Sequence, residues 1–193
     1  MYSPFNIGTR FRIAPPDTPE STDRTDLVVA RGAFGSGEHE TTACCLEILE
    51  NLPEIQGAHL LDLGSGTGIL ALAALKLGAR SATCIDISPD AVRTCRTNCE
   101  LNGFEDHIHH ITGSLDTLET AETFDLVIAN IYGDLLLDLA DELVDRARPG
   151  SHLLLSGMLW EYNFEVRKKY SELGCTVIQN RMLPEFSTVL LRK

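Results

Sequence analysis

Hydrophobic and polar positions along this chain follow two rhythms. Residues 5–14, FNIGTRFRIA, alternate apolar and polar side chains about Gly8, which predicts a short β-hairpin. Residues 15–26 are polar and punctuated by Pro15, Pro16 and Pro19, and read as a loop. From Leu27 onward short apolar runs alternate with helical patterns. TTACCLEILENL predicts a helix and HLLDLG a buried strand. Ile69 to Leu77 predicts a second helix, followed by a strand over SATCID. The third helix carries its own end signals: Ser88 as cap, Pro89 in the first turn, Asp90 at the positive end of the dipole and Gly103 as the stop. HIHHIT and FDLVIAN predict two more strands. Leu135 to Ala147 predicts an amphipathic helix ended by Pro149-Gly150. HLLLSG predicts a strand and Tyr162 to Leu173 a helix. CTVIQN and FSTVLLRK have no room for a helix between them and should pair as an antiparallel hairpin.

Alternating βα units with short apolar strands imply a parallel sheet covered by helices on both faces. The expected fold is α/β and doubly wound, with an antiparallel C-terminal edge. Residues 1–30 read as a hairpin-and-loop lead-in, and 31–193 as the main domain. Ligands of such sheets bind at the carboxyl ends of the strands, near the switch point.

Composition narrows the function classes. The chain has 193 residues and a net charge of −12. A field of that sign repels a phosphate backbone, so direct nucleic-acid binding is not expected. No stretch of eighteen apolar residues argues for a membrane span, and no signal-peptide pattern opens the sequence. A cytoplasmic location is the default expectation. The six cysteines contain no CxxC pair. Cys95 and Cys99 share one helix face, and HIHH places three histidines together. Core packing is the reading adopted for the cysteines and a strand entering from the surface for the histidines, because neither group shows a completed ligand spacing; no metal is expected.

The chemistry concentrates in Asp62-Leu63-Gly64-Ser65-Gly66-Thr67-Gly68, between a strand and a helix. The dinucleotide fingerprint requires GxGxxG, whereas Ile69 leaves GxGxG here. Gly64 and Gly66 would let the backbone approach a ligand closely, and Gly68 would allow tight packing of elements. A carboxylate at Asp62 would repel a pyrophosphate and suit an ammonium group, such as that of S-adenosylmethionine. Asp86 ends the next strand, where an acid accepts hydrogen bonds from ribose hydroxyls, and Ile87 could pack on an adenine. Asn130 ends FDLVIAN at the same edge of the sheet. Its amide can accept a hydrogen bond from an amine but cannot act as a base. AFGSGEHETT, residues 33–42, reads as a lid, with Phe34, Gly35 and Gly37 as its hallmark residues. Glu38, Glu40 and Asp134 form an acidic rim that would attract a cationic segment.

AFGSGEHETT, LLDLGSGTGILALAALKLGA, CIDISPDAV and FDLVIANIY, in this order, resemble the ribosomal protein L11 methyltransferase family, over nearly the whole chain. The resemblance implies a Rossmann-like, seven-stranded class I S-adenosylmethionine-dependent methyltransferase fold. It implies Thr42, Gly64, Asp86 and Asn130 as cofactor contacts, with Asp62, Gly66 and Ile87 fitting the wider class pattern. It further implies methyl transfer to amine nitrogens of a protein, on lysine side chains or an N-terminus, with Asn130 as the catalytic residue. Ser36 replaces the usual Thr, and Ile131-Tyr132-Gly133-Asp134 follows Asn130 where the family commonly has another sequence. Longer members carry an N-terminal docking module, which this sequence is expected to lack. A small-molecule acceptor and a non-catalytic cofactor-binding module are the alternatives. A nicotinamide-dependent dehydrogenase is disfavoured by Ile69 and Asp62.

Overall fold

The computed structural model describes residues 2–30, 37–119 and 121–193. The expected N-terminal hairpin forms from β1 (Phe5–Ile7) and β2 (Phe11–Ala14). A strand that the polar loop pattern hid, β3 (Thr25–Val28), lies parallel to β2. Its register pairs Asp26 with Arg12, and Arg12 Nε donates to Asp26 Oδ1 at 2.6 Å. The guanidinium holds the Asp26 carboxyl below its usual range. This small sheet is not detached from the rest. Ile7, Phe11, Ile13, Leu27 and Val29 are buried in the same core as the first three helices.

Helix α1 (Glu40–Leu49) precedes the βα series β4 (His59–Leu63), α2 (Ile69–Lys76), β5 (Ser81–Asp86), α3 (Pro89–Leu101), β6 (Ile108–Thr112) and β7 (Phe124–Asn130). In α3 Ser88 Oγ accepts from Ala91 N, as the capping signals predict. After β7 the chain forms α4 (Gly133–Asp138), α5 (Ala140–Arg146), β8 (Ala147–Leu159), α6 (Asn163–Glu172), β9 (Thr176–Met182) and β10 (Phe186–Arg192).

The single helix expected over Leu135 to Ala147 is therefore two short ones, broken at Leu139. Pro149-Gly150 does not end it. Ala147 already pairs with Phe124 of β7, so the sheet captures the chain two residues earlier and the Pro-Gly pair lies within β8.

The large sheet has the order β6-β5-β4-β7-β8-β10-β9. Strands β4 to β8 are mutually parallel, whereas β10 runs antiparallel to both β8 and β9. The expected C-terminal hairpin thus closes that side, with β9 outermost. Helices α1, α2 and α3 pack on one face, and α4, α5 and α6 on the other. That is the doubly wound arrangement. The chain winds outward from β4 to β6 and then returns to place β7 beside β4. The switch point lies between those two strands, and Leu63 and Ala129 are partners at their carboxyl ends.

Candidate functional site

Because Leu63 faces Ala129, the next residues along each strand, Gly64 and Asn130, emerge side by side at the switch point. The turn after β4 is held by Gly64 N and Ser65 N, which donate to Ile85 O at 2.8 and 3.1 Å. Gly64, Gly66 and Gly68 adopt φ of +72°, +52° and +76°, which L side chains disfavour. Two of them are also spatially required. A Cβ on Gly64 would come within 2.5 Å of Ile131 Cγ2, and one on Gly68 within 2.4 Å of Cys95 Sγ.

Asp86, at the end of β5, accepts from Gly66 N through Oδ2 and from Ser88 N through Oδ1, each at 2.9 Å. It both braces the glycine turn and steadies the entry to α3, while still lining a cleft of about 360 Å³ with Gly64, Gly66 and Asn130. Ile87 follows it, 80% exposed beyond the cleft lining.

Asn130 Nδ2 lies 3.5 Å from Thr42 Oγ1. Its Oδ1 is buried with no hydrogen-bond partner among the described residues. Gly157 leaves room for that oxygen, since a Cβ there would stand 2.9 Å from it. A buried acceptor without a donor is costly, so Asn130 Oδ1 is a position that favours an incoming N–H or O–H.

Two residues expected in the cleft lie beneath it. Asp62 is fully buried on the α2 face of β4, 1% exposed, and is not part of the cleft wall. Strand alternation explains this: Leu61 and Leu63 face the opposite core. The Asp62 carboxyl accepts from the backbone of Ala71, and burial pushes its pKa up to about 8. Thr42 is likewise buried and supports Asn130, leaving its neighbour Thr41 at the wall. Of the lid residues, Phe34 and Gly35 lie outside the described residues. Gly37 is buried, with φ +88°, against Ile7, Ile13 and Ile69. That end of the segment is fixed in the core.

His39, Leu135 and Phe186, which no sequence motif marks as site residues, also line the cleft, as does Tyr132 after Asn130. His39 caps α1, with Nδ1 2.8 Å from Thr41 Oγ1, and its ring meets Phe186 edge-on at 4.9 Å. The Phe186 contribution comes from the far end of the sequence, so no local pattern marks it. Among the acids of the expected rim, Glu40 accepts from Glu185 N and Asp134 from Leu135 N. A second depression, about 420 Å³, lies at the opposite end of the sheet beside Asp125, Arg148 and His152. Arg148 and Asp125 neutralise each other there, and it is the carboxyl ends that form ligand sites in such sheets.

The cleft at the switch point, the glycine turn and the seven-stranded order together define a class I methyltransferase architecture. The chain belongs to the ribosomal protein L11 methyltransferase (PrmA) family, whose model matches residues 1–193. It is 38% identical to the ribosomal protein L11 methyltransferase of Geobacter metallireducens over 98% of its length, and 40% identical to that of Pelobacter propionicus over 100%. It spans 62% and 64% of those two proteins. The crystal structure of ribosomal protein L11 methylase from Lactobacillus delbrueckii superposes with a TM-score of 0.87, at 26% identity, covering 100% of this chain and 98% of that one. An RNA methyltransferase from Salinibacter ruber, solved with S-adenosyl-L-homocysteine, shares the fold at 18% identity and a TM-score of 0.60, covering 76% of this chain and 88% of that one. Class I homologues bind S-adenosylmethionine.

Proposed function

We propose that this chain is an S-adenosylmethionine-dependent methyltransferase that modifies amine nitrogens of a protein, on lysine side chains or an N-terminus. The observation that carries the reading is the unpartnered Asn130 Oδ1 at the switch point, beside the glycine turn. Family membership supports the reaction class, and the relatives' names support a ribosomal protein as acceptor.

The residues present fit the cofactor. Gly64 and Gly66 keep the turn free of side chains, and a Cβ on Gly64 would clash with Ile131. Asp86 spends one lone pair of each oxygen on a backbone N–H, leaving acceptor capacity for ribose hydroxyls. Ile87 offers an exposed apolar surface for a base. Asp62, buried beneath, holds the start of α2 rather than reaching the cleft.

When bound, S-adenosylmethionine supplies a sulfonium-activated methyl group that a neutral amine can accept. A lysine with pKa near 10.4 is almost fully protonated at pH 7, and releasing the proton costs about 4–5 kcal/mol. The apolar cleft wall, formed by Ile131, Tyr132, Leu135 and Phe186, disfavours the ammonium and lowers that cost. Asn130 Oδ1 then accepts one N–H of the amine, which turns the nitrogen lone pair toward the methyl. Thr42 and Gly157 fix the amide in that orientation. Alignment of this kind is the main contribution open to residues that cannot ionise.

Thermal unfolding with cofactor tests the binding half of the reading. S-adenosylhomocysteine at 100 times its dissociation constant should stabilise the fold by about 2.7 kcal/mol, roughly 5–10 °C for a chain of this size. NAD should give no comparable shift. The reverse order of the two ligands would overturn the proposal.

A further inference from the structure

Apart from the cleft, the most unusual chemistry in the molecule lies behind the glycine turn. Cys95 and Cys99 sit one turn apart on α3, both fully buried. On the sheet beneath them, Cys84 of β5 and His110 of β6 are directly paired across the strands, so both point to the same face. The Sγ atoms of Cys95 and Cys99 and a ring nitrogen of His110 lie within 4.8 Å of one another. The Cys84 thiol lies beside Cys95. His110 Nδ1 is buried and has no hydrogen-bond partner among the described residues. Sequence spacing alone kept the cysteine pair and the histidine cluster apart; the α3–β6 packing unites them.

We propose that Cys95, Cys99 and His110 form a three-ligand binding site for a thiophilic divalent cation such as Zn²⁺. Two sulfurs and one imidazole are a three-ligand set that zinc takes, with the fourth tetrahedral position left to water. With bonds of about 2.0–2.3 Å, ligand atoms around such an ion stand roughly 3.3–3.8 Å apart. None of the observed separations is above 4.8 Å, so side-chain rotation has at most about 1–1.5 Å to close. Binding would release the thiol protons to solvent. The location gives the site consequence. Cys95 Sγ abuts Gly68, and Asn98, on the same helix, donates to Thr67 O at 2.9 Å. Both contacts join α3 to the glycine turn.

The test is titration of the reduced, metal-free full chain with Co²⁺ alone, followed by absorption spectroscopy. One equivalent should produce thiolate-to-cobalt charge transfer and intense visible bands of a tetrahedral ion, both erased by Zn²⁺. Cys99→Ser and His110→Ala should each weaken binding at least about tenfold. Cys175→Ser, in the other core, should change nothing. His110→Ala alters a partly exposed edge-strand position, so it keeps the test valid even if Cys99→Ser fails to fold. Absence of the charge-transfer band in the wild type, or undiminished binding in His110→Ala, would overturn the proposal.

Discussion

Asp86 Oδ2 accepts a hydrogen bond from Gly66 N at 2.9 Å, joining the end of β5 to the turn after β4. The carboxylate therefore shapes the turn as well as facing the cleft. Asp86→Asn keeps the size but removes the charge. A hydrogen bond to a charged group contributes about 1.5–3 kcal/mol, so S-adenosylhomocysteine should bind roughly 10- to 150-fold more weakly by calorimetry. Unchanged affinity would remove Asp86 from the cofactor contacts.

Asn130 and Gly157 act as a pair. Asn130→Ala should lower turnover about 10- to 100-fold while changing cofactor affinity less than about threefold, because it removes orientation rather than binding. Gly157→Ala should show the same kinetic pattern, since its Cβ would press on Asn130 Oδ1 and on Ile131 O, at 2.9 and 2.7 Å. Single-turnover rates with separately measured cofactor affinity distinguish this from general damage.

Much of this arrangement is legible in sequence, and the remainder is hidden for identifiable reasons. The strand over FDLVIAN and the capped helix after Ser88 are marked by local signals, and both form as expected. Asp86 and Asn130 reach one cleft because strand ends in a parallel sheet share an edge. Asp62 is different: its distance from the glycines suggests a ligand contact, yet strand alternation turns it into the core. Phe186 and His39 join the cleft through contacts between distant parts of the chain. Strand β3 was masked because its polar residues serve an Arg12–Asp26 pair rather than solvent.

The buried Asp62 predicts a distinctive pH dependence. Its pKa is near 3.9 when unfolded and about 8 when folded. Between those values the native state holds a proton that the unfolded chain has lost, so this contribution to stability falls as pH rises. Its slope approaches about 1.4 kcal/mol per pH unit. Asp62→Asn should flatten the stability curve between pH 5 and 7.5, measured by urea unfolding. Parallel curves for the two proteins would contradict the burial argument.

Gly68 should tolerate no side chain. Gly68→Ala combines φ +76° with a contact to Cys95 Sγ, and such strain costs about 1–3 kcal/mol. The melting temperature should drop by several degrees. Adding Cys95→Ala should recover part of the loss by removing the clash, though not the backbone strain. No recovery would show that Cys95 is not the opposing group.

The reaction assigned to the Asn130 cleft is amine methylation of a protein. Its most direct measurement is transfer of labelled methyl from S-adenosylmethionine into a cell lysate, separated into protein and small-molecule fractions, with wild type and Asn130→Ala compared. Label should appear in the protein fraction, recovered as methyllysine or a methylated N-terminal residue after hydrolysis, at a rate cut at least about tenfold by Asn130→Ala. Label confined to small molecules, or equal rates for the two proteins, would contradict it.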